Sequence, residues 1–212
     1  MPRAFNDDEA TDIRTRLKAF GRARFAADGV LKTSIEDITA AAGIAKGSFY
    51  KFFPSKELLF FDLLEEAQNE IRARLTDDAP APSKRSRKAF EKALWSVFER
   101  ICENPLIQFM GRESELISIM RKVPAERLQA HKQEDQAFLD GLIVSWNRHR
   151  KAPARDVVAA RMSVLLLVGL NRRFLGERLF EPAAAAAVES LADCFFDPSP
   201  ARAVKRQTSR SA

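Results

Sequence analysis

The stretch TSIEDITAAAGIAKGSFYKFFPSKELL, residues 33–59, decides the fold of this chain. Ser34 is a typical helix N-cap, and an acidic residue three positions later completes a variant of the capping box at the start of a short helix. Gly43 ends that helix, and a third helix starts near Lys46. It must end before Pro54, because proline lacks an amide donor and disfavours helical geometry in the preceding residue. Two short helices around a glycine turn predict a helix-turn-helix, which places its second helix in a DNA major groove.

The rest of the chain is also predicted to be helical, because apolar residues recur at helical spacing and no segment alternates with period two. Ile13, Leu17 and Phe20 form one apolar stripe on a first helix. A fourth helix is N-capped by Ser55 and runs to about Leu75. A proline-containing linker follows, and the further helices are predicted at residues 84–102, 105–121, 125–150, 155–173 and 182–196.

This order of elements predicts an all-α protein with two domains and a tail. Residues 1–56 are the expected helix-turn-helix DNA-binding domain, and the fourth helix joins it to a helical bundle for ligand binding and dimerisation over residues 57–196. Residues 197–212 contain four basic side chains after Asp197 and no further acid, and their proline, serine and alanine content predicts a disordered basic tail.

Composition excludes several classes of protein. The 212 residues are 46% hydrophobic, which is enough for a buried core, and the net charge of +6 fits a polyanionic partner. The most apolar run, residues 164–170, is much shorter than the roughly 20 residues that cross a bilayer, so we expect no membrane segment. Asp7, Asp8 and Glu9 precede any apolar run, which argues against a secretory signal.

The cysteines and histidines are isolated. Cys102 and Cys194 form no CxxC pattern, and neither His131 nor His149 has a second ligand at metal spacing. We therefore expect no metal, no cofactor and a reduced, cytoplasmic location. The sequence also lacks a nucleophile elbow, a zinc-protease motif, a phosphate loop and a dinucleotide-binding glycine pattern, so we do not expect an enzyme.

Helical spacing places Phe49 and Phe53 inward and leaves a small, basic, hydrogen-bonding set exposed on the third helix: Lys46, Gly47, Ser48, Tyr50 and Lys51. Lys46 and Lys56 each open a helix, where the macrodipole disfavours a cation unless an anion binds. They are either phosphate ligands or ordinary surface lysines. Gly47 either allows close approach to DNA or simply starts a helix, and the ring of Tyr50 is either exposed or half-buried.

Residues 33–59 resemble the DNA-binding signature of TetR-type regulators. The resemblance covers the first quarter of the chain and implies a homodimer on a palindromic operator, with C-terminal helices that bind small ligands and dimerise. By position it implies base or phosphate contacts from Lys46, Gly47 and Ser48. It also implies phosphate contacts from Tyr50 and Lys56, and DNA-backbone contacts from Thr33 or Ser34 at the start of the second helix.

One position departs from the family pattern. Phe52 stands where many similar proteins have a tyrosine or histidine that can reach a phosphate. Phenylalanine cannot make that contact, and Lys51 is the candidate that replaces it.

The C-terminal region supplies candidates for a ligand site and for a dimer interface. Aromatic and sulfur-containing side chains could line an apolar pocket or be plain core, and the candidates are Trp95, Phe98, Phe109, Met110, Phe138 and Trp146. The last two helices are strongly apolar or alanine-rich and either form a four-helix interface or bury these faces within one subunit. The candidate interface residues are Val164, Leu166, Leu167, Leu170 and Leu191.

The sequence thus predicts a homodimeric repressor that binds double-stranded operator DNA and is released by a small, largely apolar or aromatic effector. The alternative is a ligand-independent activator or an architectural DNA-binding protein, because either would carry the same N-terminal motif.

Overall fold

The computed structural model describes residues 5–76, 79–147 and 152–196, and every regular element in these ranges is helical. The all-α prediction is confirmed. The predicted basic tail, residues 197–212, lies outside the described residues. The helices are α1 (Asp7–Asp28), α2 (Ile35–Ala41), α3 (Lys46–Phe49), α4 (Lys56–Thr76), α5 (Arg87–Glu103), α6 (Pro105–Gln108), α7 (Glu113–Met120), α8 (Ala125–Trp146), α9 (Arg155–Leu170) and α10 (Arg172–Phe196), with single 3₁₀ turns at Pro82–Lys84 and Phe109–Gly111.

The first helix packs on α4 through a stripe that the sequence predicted only in part. Ile13 and Leu17 are buried as expected, but Phe20 is 37% exposed and its prediction is wrong. The inward positions continue through Gly21 and Phe25, because these positions follow Leu17 on the same face at helical spacing. A Cβ at Gly21 would lie 2.9 Å from the side chain of a leucine on α4, so glycine permits the close approach of the two helices.

The second and third helices are short, and their ends are defined locally. The capping box of α2 forms as predicted: Ser34 Oγ accepts a hydrogen bond from the amide of Asp37 at 3.0 Å, and the carboxylate of Asp37 accepts one from the amide of Ser34 at 3.4 Å. The third helix ends at Phe49, earlier than predicted, because the amides of Phe52 and Phe53 both donate to the Phe49 carbonyl in a tight turn before proline.

The fourth helix joins the two halves of the protein. Ser55 caps its start through a 3.2 Å hydrogen bond from the amide of Leu58. Its buried face packs against α1 on one side and against α5, α6 and α8 on the other. A single hydrophobic cluster consequently runs from the N-terminal helices into the C-terminal bundle.

Two C-terminal helices differ from prediction. The single helix predicted over residues 105–121 is wrong, because the chain passes through the 3₁₀ turn and leaves helical geometry at Arg112, next to the weak helix former Gly111. The last helix, α10, starts at Arg172, well before the predicted Pro182, and is kinked at Gly176, whose φ of 66° is favourable only for glycine. Within the described ranges, no helix is long and apolar enough to cross a bilayer.

Candidate DNA-binding surface and ligand cavity

The exposed side of α3 and the turn after it carries the residues predicted to face DNA. Phe49 and Phe53 point into the core, as their spacing indicated. On the opposite side lie Lys46, Gly47, Ser48, Tyr50 and Lys51, which we call the recognition surface; Ser48 is half-buried and the others are exposed. The 54% exposure of Tyr50 leaves its hydroxyl accessible, because only one side of the ring packs, edge-on, against Phe49.

Gly47 has no packing role inside the protein. A Cβ built on it meets nothing within 4 Å, and its φ is not positive. Alanine would therefore fit this backbone without strain. A glycine at this position is best explained by something outside the chain that must approach the backbone closely.

Lys46 forms an ion pair within the protein. The argument that the macrodipole of α3 requires an anion beside Lys46 is also weaker than expected. Its ammonium forms an ion pair with the Glu36 carboxylate on α2, and both side chains are more than half exposed. The hydrogen bond between them raises the pKa of Lys46 and lowers the pKa of Glu36. Because α3 has only four residues, it has little macrodipole. The pair lies in solvent, where a competing phosphate can replace the carboxylate.

Lys56 and Thr33 lie behind the recognition surface rather than on it. The ammonium of Lys56 donates to the carbonyl oxygens of Leu31 at 3.1 Å and Thr33 at 2.7 Å. Thr33 is buried, and its hydroxyl donates to the carbonyl of Gly29 at 2.7 Å. These bonds explain a lysine at a helix start without an anion, because carbonyl oxygens already satisfy it. Ser34 is half-buried and its hydroxyl caps α2.

Phe52 and Lys51, the position that departs from the family pattern and its neighbour, differ in exposure. Phe52 is half-buried, and its ring packs 5.7 Å from that of Phe5. Lys51 is exposed, with its ammonium 5.3 Å above the same Phe5 ring. The phenylalanine therefore serves packing, and the lysine beside it keeps a cation at the surface.

Two arginines on α1 hold the helix-turn-helix in place, a role that sequence reasoning did not identify. Arg16 donates to the carbonyl of Ala42 at the end of α2 at 2.8 Å. Arg14 donates to the carbonyl of Phe52 at 3.2 Å, and its guanidinium lies over the Phe53 ring. No local sequence pattern indicates these hydrogen bonds, because they join residues that are 26 and 38 positions apart in the chain.

Polar contacts connect the C-terminal bundle to the turn before α2 and to the start of α4. The carboxylate of Glu115 on α7 accepts a 3.0 Å hydrogen bond from the amide of Leu31, in the turn that Lys56 also binds. Glu57 is buried near the start of α4 and accepts a 2.6 Å hydrogen bond from Lys122. Burial alone would raise the pKa of Glu57, but the bonds from Lys122 and the backbone hold it below its ordinary value.

A cavity of about 380 Å³ lies in the C-terminal bundle, walled by α4, α5, α6, α8 and α9. Its size is within the range of small-molecule sites. Of the six predicted ligand-site residues, Met110 and Phe138 line it. Leu166, predicted for the interface, lines it as well. The cavity walls are mostly apolar. The polar residues that line it are Gln68, a group of charged residues, and Ser163 on α9, whose hydroxyl donates to the Ala159 carbonyl.

The other four predicted ligand-site residues, Trp95, Phe98, Phe109 and Trp146, do not line the cavity. Trp146 is fully buried, and its indole donates to the Leu75 carbonyl at 2.7 Å. Phe98 stacks on Phe180, with Trp95 edge-on to it, and Phe109 packs on Phe60 of α4. These four side chains form the core around the cavity. Of the two interpretations of these residues, ligand site or core, the second is therefore the correct one.

The last two helices leave an apolar face uncovered. Val164 and Leu167 are 51% and 57% exposed; together with Val157 on α9 and Leu179 on α10 they form what we call the apolar face. Leu170 is half-buried. Leu191 is completely buried within the subunit, so it cannot lie in an interface and that prediction is corrected.

A short helix pair with its second helix exposed, fixed from behind and attached to a bundle with a cavity, defines a helix-turn-helix DNA-binding regulator. Comparison with known proteins relates the N-terminal part of the chain to one family. Residues 21–63 match the family model for bacterial regulatory proteins of the tetR family. The N-terminal region of this chain is therefore a DNA-binding domain of the tetR type, and the curated proteins that it resembles are named as HTH-type transcriptional regulators.

Individual relatives agree with this assignment. The HTH-type transcriptional repressor DhaR of Mycobacterium is 36% identical over 84 residues, which are 38% of this chain and 42% of that protein. This chain thus spans about two fifths of the length of that curated relative.

Two solved structures share the fold. SmeT, the repressor of the Stenotrophomonas maltophilia multidrug efflux pump SmeDEF, superposes with a TM-score of 0.59 at 17% identity, covering 88% of this chain and 94% of SmeT. The TetR family transcriptional regulator PfmR of Thermus thermophilus gives a TM-score of 0.56 at 22% identity, covering 83% and 97%. At these identities the likeness extends to the fold alone.

Proposed function

We propose that this protein is a homodimeric cytoplasmic repressor that binds a palindromic operator and is released by a small, largely apolar effector. Residues 1–56 bind DNA in this proposal, and residues 57–196 bind the effector and dimerise. The observation that carries the proposal is the course of α4, which starts behind the recognition surface and farther along forms one wall of the cavity.

The recognition surface makes the DNA contacts. Lys46 and Lys51 bind phosphates, and Tyr50 donates its hydroxyl to a phosphate oxygen. Gly47 and Ser48 face the base edges, because they are small enough for the backbone of α3 to enter the groove closely. Thr33 and Lys56 are omitted from the contact set, since both are already satisfied inside the protein. Ser34 could reach DNA only through an oxygen that also caps α2.

The apolar face is the proposed dimer interface. An exposed row of valine and leucine side chains on α9 beside an exposed leucine on α10 favours a partner that covers both helices. A second copy of the chain satisfies this with a four-helix interface. Two recognition surfaces held at a fixed distance then bind two half-sites together, which raises affinity far above that of one.

The effector acts by linkage between the two sites. A molecule in the cavity touches α4 and the turn at Met110, which leads directly into α7. Through Glu115 and Lys56, both helices hold the turn that precedes α2. An effector that shifts either helix must bind less tightly to the DNA-bound form, and a coupling of about 1–3 kcal/mol gives a 5–150-fold change in operator affinity.

The test is genome-wide footprinting with purified protein, followed by titration of the recovered sites with apolar compounds that raise the protein's melting temperature. One or a few palindromic sites, released by stabilising compounds, support the proposal. Many dispersed sites that no such compound affects favour the architectural alternative, and activation of transcription from the bound promoter without a ligand favours the activator.

A further inference from the structure

The charged residues at the cavity belong to one group of ion pairs, and the charges in this group are balanced. The group contains four cations and four carboxylates, with His131 between Glu65 and Asp135 at 3.4 and 3.9 Å. Its cations are Lys18, Arg22, Arg72 and Arg127, and its carboxylates are Asp62, Glu65, Glu66 and Asp135. Of these residues, Arg72, His131 and Asp135 line the cavity itself.

Each cation of this group lies within ion-pair distance of a carboxylate. Arg127 is 2.6 Å from both Asp62 and Glu65, and Arg72 pairs with Asp135. A ligand that carried a carboxylate or an ammonium into the cavity would lose its hydration without finding a free opposite charge. The wall therefore selects against charged ligands.

Three buried side-chain atoms in and beside this group have no hydrogen-bond partner within the described part of the chain: Asp62 Oδ1, His131 Nδ1 and Gln68 Oε1. The first two lie in ion pairs, 2.6 Å from Arg127 and 3.4 Å from Glu65, whereas Gln68 Oε1 belongs to a neutral amide and to no ion pair. Gln68 lines the cavity from α4, and its Oε1 is buried without accepting a hydrogen bond within the described part of the chain. Its amide nitrogen has only a weak acceptor, the Met110 sulfur at 3.8 Å. Buried polar atoms in native proteins are almost always hydrogen-bonded, so an acceptor left free at a cavity wall indicates a ligand that brings a donor.

The remaining wall fits an apolar body. Ile71, Val97, Met162 and Leu166 line the cavity together with the polar group, and Phe138 adds an aromatic ring. These side chains gain from the burial of hydrocarbon and offer no polar partner.

We infer that the cavity binds an uncharged molecule with an apolar body and a hydroxyl at one end, and that Gln68 recognises this hydroxyl by accepting its hydrogen bond. The inference rests on the proposed function for the role of the cavity as an effector site. It adds the charge of the ligand, its polar group and the residue that distinguishes it.

Four probes with one carbon skeleton test this assignment by titration calorimetry on the full-length protein: phenylpropanol, propylbenzene, phenylpropionate and phenylpropylamine. We expect phenylpropanol to bind at least tenfold more tightly than either charged probe. The informative quantity is the affinity ratio of phenylpropanol to propylbenzene, because it isolates the hydroxyl. In Gln68→Leu this ratio should fall by about tenfold, the usual effect of one hydrogen bond.

The matched control is Gln133→Leu, the same substitution at an exposed position of α8 that does not line the cavity, and it should leave the ratio unchanged. Gln68→Met provides a second apolar replacement of similar length if the leucine variant unfolds. An unchanged ratio in the Gln68 variants, a charged probe that binds as tightly as phenylpropanol, or no binding by any probe overturns the inference.

Operator binding distinguishes failure here from failure of the proposed function. If compounds from the melting screen release DNA while the probe ratios do not behave as expected, the proposed regulatory function is supported and the inferred class of ligand is wrong. If the ratios behave as expected but phenylpropanol leaves operator affinity unchanged, the inferred ligand recognition is supported and the proposed coupling of the cavity to DNA binding is wrong.

Discussion

The recognition surface and the apolar face are both exposed, but the surroundings of their residues are determined in different ways. At and just behind the recognition surface, hydrogen-bond partners determine where a side chain points. Lys46 extends into solvent towards Glu36, whereas Lys56 turns inward onto two carbonyl oxygens. Two lysines that look equivalent in the sequence therefore have different roles: one can exchange its partner for a phosphate, and the other fixes the turn before α2.

On α9, rotation about the helix axis decides instead. Leu165 is buried and lines the cavity together with Leu166, whereas Leu167 is exposed on the apolar face. Successive residues point about 100° apart, so three adjacent leucines divide between the cavity and the protein surface. The contrast teaches that an apolar surface can be assigned from helical direction, whereas a polar surface can be assigned only when each donor's acceptors are known.

The largest effect is expected at the apolar face. Val164→Glu combined with Leu167→Glu would place two carboxylates per subunit in the proposed interface, where they would be unpaired. Sedimentation should show a monomer, and operator affinity should fall by more than about 100-fold because the two half-sites no longer bind together.

Val144→Glu is the matched control for these two changes, because Val144 is also an exposed valine but lies on α8. It should leave both the dimer and operator binding intact. A double variant that still sediments as a dimer would show that the interface lies elsewhere.

The two lysines should separate stability from affinity. Lys56→Met removes two hydrogen bonds to carbonyl oxygens and should lower the free energy of unfolding by about 1–3 kcal/mol. Lys46→Ala should leave stability nearly unchanged, because its ion pair is exposed. It should instead weaken operator binding and flatten the salt dependence by about two ions per dimer, one phosphate contact per subunit.

Chemical denaturation and operator titration at several salt concentrations measure both quantities on both variants. If Lys56→Met flattened the salt dependence as much as Lys46→Ala and kept full stability, the inward lysine would be a phosphate ligand after all, and the distinction drawn from its hydrogen bonds would fail.

A smaller effect, dependent on pH, is expected where the bundle meets α4. The pKa of Glu57 is lowered from 4.5 in the folded protein. The carboxylate therefore stabilises the fold above that value, and this contribution is lost as the pH falls through the folded-state pKa. Lys122→Met should cost about 1–2 kcal/mol at pH 7, less than for a fully buried pair because Lys122 is more than half exposed.

The stability difference between the wild type and Lys122→Met should shrink as the pH falls below 4.5, because protonated Glu57 no longer needs a cation. Urea unfolding across this pH range measures it, and a difference that does not change with pH would show that the lysine acts by packing rather than by charge.

The elements that the sequence predicted well depend on short-range chemistry. The capping box at Ser34 needs only a residue three positions away, and the inward direction of Phe49 and Phe53 follows from helical spacing. The inward turn of Lys56 could not be read in this way, because its acceptors lie 23 and 25 residues earlier.

The cavity was also beyond prediction from the sequence. Its walls come from five helices whose packing no local pattern specifies. An aromatic residue such as Trp146 looks equally suited to a ligand site and to the core, and only its buried hydrogen bond to a backbone carbonyl decides. Gln68 gave no signal at all, because an unsatisfied oxygen can be recognised only after its neighbours are placed.

The smallest effect on the folded protein is expected at Gly47, which makes it the sharpest test of the recognition surface. Gly47→Ala adds one methyl group in open space and should change the free energy of unfolding by less than about 1 kcal/mol, in the stabilising direction, because alanine is the better helix former. Any effect on DNA binding must then arise at the interface itself. The methyl group should obstruct close approach to a base edge, so the variant should select a different base at the facing operator position from a randomised library, while its salt dependence stays that of the wild type.

Ala45→Gly, a change of the opposite sense at the exposed position just before α3, controls for altered helix propensity. Unchanged sequence selection by Gly47→Ala would mean that this side of α3 does not face the bases, even if the lysines around it bind phosphate.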